Sequence, residues 1–433
     1  MTRGGAGRRR GGAVRAGLWA IALLLSWTTA VGAQRGPARP APAEEPGARL
    51  TVYLMTMGPG SAVWERFGHN AIYIHDPDRG TDDAYNYGLF DFRQENFVLR
   101  FIQGRMWYWM AGFPAEGYVQ QYVRDNRSVW LQELEMPPRA RLELQRFLQW
   151  NEQPEHRYYH YDYYRDNCST RVRDALDRFL GGAIHRETAA LLTGKTYRFH
   201  TGRLTANDKP IFTGLMLALG PGVDRPISAW EEMFLPMAVR DYVRRITVPG
   251  PEGRPVPLVR SERTLFESTA EAPPDRPPAW IPGYLLLGTA IGGLALLLGR
   301  RGGGGGGRSG LRWLAGVWGL AAGLAGVVLA GLWGFTDHAM AYRNENLFQA
   351  NPVALLLPVM LALWARGGGG AGRRAAAVAA VLAVLSLAGW VLQALPGLDQ
   401  VNGSIIALAL PIHLGIAGAL GSVAARERRT PAG

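Results

Sequence analysis

Beyond residue 280 the chain carries a series of apolar runs, and they limit its fold more than any other feature. Crossing a bilayer takes about 20 residues of helix. The runs Ile281–Leu298, Leu314–Phe335, Ala375–Leu395 and Ser404–Ala424 meet that length. A shorter one, Asn351–Trp364, meets it if the span starts near Leu347. Lipid offers no partner to backbone N–H and C=O groups, so such runs have to be helices that pair those groups internally. A mean hydropathy near zero therefore conceals a soluble half and a membrane half, which have to be read apart.

The loops between the runs set the orientation. Arg300, Arg301, Arg308 and Arg312 follow the first span, Arg366, Arg373 and Arg374 the third, and Arg426, Arg428 and Arg429 the fifth. The Thr336–Ala350 and Pro396–Gly403 loops are poor in basic residues. Basic loops stay in the cytoplasm, so five spans leave the N-terminal half outside. The start of the chain agrees. Arg3, Arg8, Arg9, Arg10 and Arg15 precede an apolar stretch from Ala16 to Ala30, and Val31-Gly32-Ala33 obeys the small-residue rule for cleavage. An export signal over 1–33 is expected, cleaved after Ala33 or retained as an anchor. A net charge of +12 would suit a nucleic-acid partner, but the arginines crowd the N-terminus and the short loops. That is a membrane pattern, and no nucleic acid is expected. The expected location is the bacterial inner membrane, with the N-terminal domain in the periplasm.

The remaining divisions follow composition. Residues 34–49, rich in Pro, Ala and Gly, read as a linker, 50–247 as an α+β domain with a helical extension, and 248–279 as a Pro-rich linker. A five-helix membrane domain over 280–425 and a cytoplasmic tail over 426–433 complete the chain. Within the soluble half, Leu50–Met55 and Asn70–His75 read as strands, with a helical turn between them at Ser61–Phe67. Asp76-Pro77-Asp78-Arg79-Gly80 is turn chemistry, and Ala84–Phe90 returns as the partner strand. His69 stands at the mouth of that pair. Asn96–Met110 is expected to be a helix running into the aromatic segment Trp107-Tyr108-Trp109, which serves as core or rests in the headgroup layer. Ser128–Glu135 reads as a strand, and Pro137-Pro138 precedes a helix over Arg139–Glu152.

The only cysteine lies in Asp166-Asn167-Cys168-Ser169-Thr170-Arg171. A helical pattern begins immediately after it, with Val172, Leu176, Phe179 and Leu180 on one face and charges on the other. Cys168 is thus expected at a helix N-terminus, where unpaired N–H groups and the helix dipole favour a thiolate. A lone cysteine is more often a small buried hydrophobe. An exported one, with polar neighbours and no second cysteine to pair with, calls for another account. A cysteine nucleophile needs a base and a group to orient that base. His69 is the best-placed base, since Gly68 leaves room beside it and a strand holds it, and His160 is a second candidate. Asn86 or Asp91 would orient the base.

One outward loop, Thr336 to Leu347, gathers Asp337, His338, Arg343, Asn344, Glu345 and Asn346. It reads either as a solvated turn or as a group that binds a lipid headgroup or completes the active site. No metal-ligand cluster and no cofactor motif is found in the soluble half.

A histidine on a strand followed about a hundred residues later by a cysteine opening a helix resembles a circularly permuted papain-like fold. More closely, Phe67-Gly68-His69-Asn70, Tyr85-Asn86-Tyr87-Gly88 with Phe90-Asp91-Phe92, Asp166-Asn167-Cys168-Ser169-Thr170 and Arg173-Asp174 look like the Lnb N-terminal periplasmic domain family, over about Leu50–Leu180. The multi-span half, with His338 and Asn344-x-Asn346-Leu347, resembles full-length members. The resemblance implies a lipoprotein N-acyltransferase. It would carry an acyl chain from a phospholipid donor, through a Cys168 thioester, to the amino terminus of a diacylated lipoprotein acceptor. It implies His69 and Cys168 as the catalytic pair, with Asn86, and with Asn167, Asp91, His160, Arg171, His338, Asn344 and Asn346 in binding or supporting roles. The rival readings are a periplasmic cysteine amidase or peptidase acting on peptidoglycan, and a non-catalytic membrane sensor.

Overall fold

Alternation of apolar and polar residues builds the strands of the soluble half, and a computed structural model describes their assembly over residues 44–250, 253–301, 305–368 and 370–429. The expected export signal and most of the 34–49 linker lie outside the described residues. The strands are β1 (Thr51–Met57), β2 (His69–Asp76) and β3 (Thr81–Leu89). Helix α1 (Phe97–Gln103) leads to β4 (Trp107–Pro114), α2 (Ala115–Arg124), β5 (Val129–Leu134), α3 (Pro138–Asn151), β6 (Tyr158–His160) and α4 (Cys168–Phe179). Short elements follow: α5 (Ala183–Thr188), β7 (Leu192–Thr196), α6 (Tyr197–Leu204), α7 (Lys209–Ala218), β8 (Pro226–Ser228), α8 (Ala229–Glu232), α9 (Pro236–Val243), β9 (Thr247–Pro249), β10 (Pro255–Pro257) and β11 (Val259–Phe266).

A seven-stranded antiparallel sheet in the order β11-β5-β1-β2-β3-β4-β6 organises this half. Period-two alternation sends Val52, Leu54, Ile72, Ile74, Tyr85 and Tyr87 to one face, where Val172 and Leu176 of α4 and Leu144 and Leu148 of α3 cover them. Met55, Met57, Ala71 and Ala84 go to the other face, against Tyr118 and Tyr122 of α2.

Two expectations are corrected here. Residues 248–279 are not a plain linker: β11 adds to β5 as the edge of the main sheet. Its charges hid it, for Arg260, Glu262 and Arg263 suit a strand edge, where charge blocks further pairing, and Glu262 is held by Arg240 and by Arg244. The helix expected through Asn96–Met110 stops at Gln103, because Gly104 takes a left-handed backbone with φ of 72°. Trp107, Tyr108 and Trp109 belong instead to β4, between β3 and β6. Tyr108 is buried against Phe90 and Tyr161.

In the second half lie α10 (Ile281–Arg300), α11 (Gly305–Phe335), α12 (Leu356–Ala365), α13 (Ala371–Val391) and α14 (Gly403–Arg429). Among the described residues, five segments are long and apolar enough to cross a membrane. Helix α11 starts at Gly305 rather than near Leu314, and α14 continues as a helix to Arg429. The third span, Glu345–Ala365, is composite: α12 supplies its inner part, and 3-10 turns at Glu345–Phe348 and Pro352–Leu355 supply the rest. Pro352 lacks the N–H that a regular helix needs at this point. Small residues bring the spans together. A side chain on Gly292 of α10 would meet Pro411 O at 2.3 Å, so α10 and α14 touch backbone to backbone.

Candidate active site

The β2–β3 ladder ends at the pair Ala71–Asn86, two residues short of His69. On its other side β3 loses register with β4 between Tyr87 and Leu89, and Gly88 sits in the bulge with φ of 91°. A left-handed bulge residue is most readily glycine, and here the missing side chain also leaves space. A methyl group on Gly88 would lie 3.1 Å from Cys168 Cβ and 3.8 Å from His69 Cε1. The two side chains, 99 positions apart in the chain, thus flank one small gap.

Each wall of the gap is fixed from behind. His69 Nε2 donates a very short hydrogen bond to Asn86 Oδ1. An amide oxygen can only accept, so the ring proton resides on Nε2 and Nδ1 keeps a lone pair. The imidazole also stacks on Tyr122, with centroids 6.4 Å apart and planes at 14°. The cysteine side is held by its helix cap. Asn167 Oδ1 accepts from Ser169 N and Thr170 N at 2.9 Å each, and Asn167 Nδ2 donates to Tyr163 O and Phe234 O. Ser169 Oγ reaches Asn70 Oδ1, and Asn70 Nδ2 reaches Thr56 Oγ1. A chain of buried hydrogen bonds therefore runs from β1 through the residue beside His69 to the residue beside Cys168. This couples strand and helix at the gap.

The electrostatics depart from the helix-dipole expectation. Burial pushes the Cys168 thiol up to about 11, against the backbone N–H groups of Asn70, Ser169 and Cys168 itself, which favour the thiolate. Burial pushes His69 down to about 4, with the Asn86 bond opposing and the Arg127 charge assisting. The resting pair is thus a neutral thiol beside a neutral imidazole. Removing the sulfur from water costs more than the helix N-terminus returns. The backbone N–H groups of Asn70 and Cys168 still favour negative charge at the sulfur, and so at an oxyanion formed beside it.

Other expected residues land elsewhere. Asp91 pairs with exposed Arg93 at 3.0 Å and does not orient His69. Asn167 has no donor to spare, since both its N–H groups serve carbonyls. Its role is the cap. His160 lies on β6, with β3 and β4 between it and the strand of His69, and packs at a tilt against Trp107, ring centroids 4.1 Å apart. Along β6 it alternates with buried Tyr159, which shares the core cluster of Cys168, so His160 faces the other side of the sheet. Arg171 is bound to Asp166 and lies 4.4 Å over the Tyr159 ring, which braces the segment before Cys168.

The outward loop does not enter the gap. Asn344 Nδ2 donates to Leu217 O and Ala218 O at 2.9 Å, and Asn346 Nδ2 to Leu217 O at 2.9 Å and Met216 O at 3.2 Å. Together with Gln400 and Arg198, which reach Leu219 O, they occupy the orphan carbonyls at the end of α7. At the other end of the loop, Asp337 N donates to Gln103 O at 2.7 Å and His338 Nε2 to Phe101 O at 2.9 Å, closing α1 in the same way. One loop of the membrane half caps two helices of the soluble half. Their buried apolar residues are shared as well: Met340 and Ile405 pack with Phe212, Met216 and Leu219.

Sequence reasoning missed Gly88, Asn70, Ser169, Tyr122 and Arg127. Asn70, Gly88 and Ser169 lie inside the motifs Phe67–Asn70, Tyr85–Gly88 and Asp166–Thr170. Arg127, buried 4.7 Å over the Tyr122 ring with Nε on Gly58 O, carried no local signal at all.

Comparison with known proteins bears on the same stretches. A family model described as the Lnb N-terminal periplasmic domain matches residues 44–201, and one described as the Lnb transmembrane domain matches residues 305–420. No curated protein and no solved structure matches. The two models together cover more than half of the chain, in order, and join a sheet-rich α+β domain to five membrane-crossing segments. The chain belongs to the Lnb family, as a multi-pass inner-membrane protein with a periplasmic domain and a role in lipoprotein processing.

Proposed function

We propose that this protein is a lipoprotein N-acyltransferase, which carries an acyl chain from a phospholipid through Cys168 to the terminal amine of a diacylglyceryl lipoprotein. The soluble half is then a papain-like unit in permuted order, histidine strand first and cysteine helix second. The observation that carries the reading is the gap at Gly88. Cys168 and an imidazole oriented by Asn86 flank it, on a domain hydrogen-bonded to the outward loops of five membrane spans.

In the first step His69 Nδ1 takes the thiol proton as the sulfur attacks the ester carbonyl. Because both groups rest uncharged, proton and sulfur move together, with no standing ion pair. The tetrahedral oxyanion is held by the N–H groups of Cys168 and Asn70. Its collapse breaks the ester C–O bond, and His69 returns the proton to the departing lysophospholipid. In the second step the lipoprotein amine attacks the thioester and His69 accepts the amine proton. The C–S bond breaks and the thiol is regenerated. An amide is more stable than a thioester, so transfer runs forward. Asn86 keeps the imidazole in the tautomer both steps need. Burial of the sulfur limits the water that would otherwise hydrolyse the thioester.

Complementation of a strain that lacks lipoprotein N-acylation tests this, with mass spectrometry of lipoprotein N-terminal peptides as readout. Wild type and His160→Ala are expected to yield triacylated peptides, whereas Cys168→Ala and His69→Ala leave the diacyl form, a loss of about 10³-fold or more. Persistence of the diacyl form with wild-type protein present in the membrane would overturn the proposal. Released peptidoglycan fragments in that case would favour the amidase.

A further inference from the structure

Helix α1 has an unusual surface. Its sequence Phe97-Val98-Leu99-Arg100-Phe101-Ile102-Gln103 is apolar nearly all round, and none of its residues is buried. Val98 is 70% exposed, Leu99 53% and Ile102 56%, and Phe92 and Trp64 beside it are exposed as well. A helix apolar on every side is normally covered by something. A contiguous exposed apolar patch marks a surface with a partner.

The chain itself gives the height of this helix. Its last turn is closed by Asp337 N on Gln103 O and His338 Nε2 on Phe101 O, and Arg105 just beyond it pairs with Asp337 at 2.7 Å. Asp337 and His338 follow directly on the span that ends at Phe335, itself 86% exposed. So α1 sits where a membrane helix leaves the bilayer on its outward side. From that point an aromatic row leads inward: Phe97 stacks on Phe90, Phe90 on Tyr108, and Tyr108 on Tyr161. Tyr108 lies in the same buried cluster as Cys168, and Tyr161 packs against that cluster.

We propose that α1, with Phe92 and Trp64, is inserted in the outer leaflet at the boundary of headgroups and acyl chains, and holds the mouth of the cysteine site against lipid. The occupant is phospholipid because the patch continues the outward rim of the membrane half. The exposed apolar side chains suit the acyl boundary, and Arg100 can reach the headgroups above it. The inference concerns where the domain rests and stands whether or not Cys168 transfers acyl chains.

Full-length Cys168→Ser protein lacks cysteine, since Cys168 is the only one. Single cysteines introduced in it by Val98→Cys, Leu99→Cys and Ile102→Cys can be labelled with an environment-sensitive fluorophore in phospholipid nanodiscs. The Arg79→Cys control lies in the turn at the far end of β2 and β3 from α1. The expected result is blue-shifted emission at the three α1 positions, quenched by lipids spin-labelled high on the acyl chain and protected from aqueous iodide, with the reverse at residue 79. All three positions are exposed, so a label displaces no packing, and an unchanged thermal midpoint verifies each variant. Iodide quenching at α1 equal to that at residue 79 overturns the proposal. Protection from iodide without quenching by spin-labelled lipid overturns it too, in favour of a protein partner or a second copy. Because no acylation is measured, these outcomes are independent of the enzymatic reading.

Discussion

Asn167 at the head of α4 and the pair Asn344 and Asn346 after α11 use the same side-chain amide to close helix ends, one at an N-terminus and two at a C-terminus. Around Asn167, its amide oxygen takes Ser169 N and Thr170 N, but the gap next to it keeps a thiol and an imidazole whose Nδ1 lone pair is free of the Asn86 bond. Around Asn344 and Asn346, the amide N–H groups go to carbonyls of α7, and Gln400, Glu345 and Arg198 join the same network. Clustered polar residues thus have two fates. Where their N–H groups meet protein carbonyls they clamp, and where a thiol and an imidazole flank an open gap they can act on a substrate.

The comparison can be broken most forcibly at Gly88. Gly88→Ala adds a methyl group 3.1 Å from Cys168 Cβ in a left-handed backbone. It is expected to abolish lipoprotein acylation in membranes while lowering stability by only about 1–2 kcal/mol. Full activity of that variant would mean that the gap is not the reaction site. The opposite test is on the clamp. Asn344→Ala and Asn346→Ala each strand buried carbonyls and should cost about 1–3 kcal/mol, seen as a lower thermal midpoint in detergent. Acylation per folded molecule should change little. If either variant instead stopped turnover with the midpoint unmoved, the loop would belong to the active site after all.

A subtler effect concerns the charge state of the gap. With the thiol held near 11 and the imidazole near 4, neither group titrates between pH 6 and 9. Alkylation of Cys168 by a small haloacetamide should therefore keep rising about tenfold per pH unit through pH 9, rather than levelling off near 8.5 as for a free cysteine. Acylation should be flat near neutrality and fall only as pH drops toward 4, where the imidazole gains a proton and ceases to accept one. The same depressed value makes His69 a source of acid instability. The unfolded chain binds a proton there at higher pH than the folded one does, so stability is lost as pH falls from about 6.5 to about 4. A plateau of alkylation below pH 7 would contradict the neutral pair and restore the thiolate.

Much was legible from residue order. Apolar length and arginine placement define spans and orientation without tertiary information, since they depend on the chain's interaction with lipid and with the export machinery. Alternation around the Asp76–Gly80 turn specified the β2–β3 hairpin, and Asn167 before an amphipathic run specified the start of α4. These are local rules, satisfied within a few residues. The charged strand β11 escaped notice because its alternation is spoiled by ion-pairing residues whose partners, Arg240 and Glu133, lie far off in the chain.

The amino-acid order by itself determined that a cysteine would open a helix, that a histidine would begin a strand, and that both would face away from the cytoplasm beside five spans. Only the tertiary structure decided that Asn86 rather than Asp91 holds the imidazole, that the thiol rests protonated, and that the loop of His338, Asn344 and Asn346 clamps helices instead of joining the gap. The physical reason is common to all three. Each depends on which distant groups come within hydrogen-bond reach and on how much water is removed, and neither quantity is written into the neighbours of a residue in sequence.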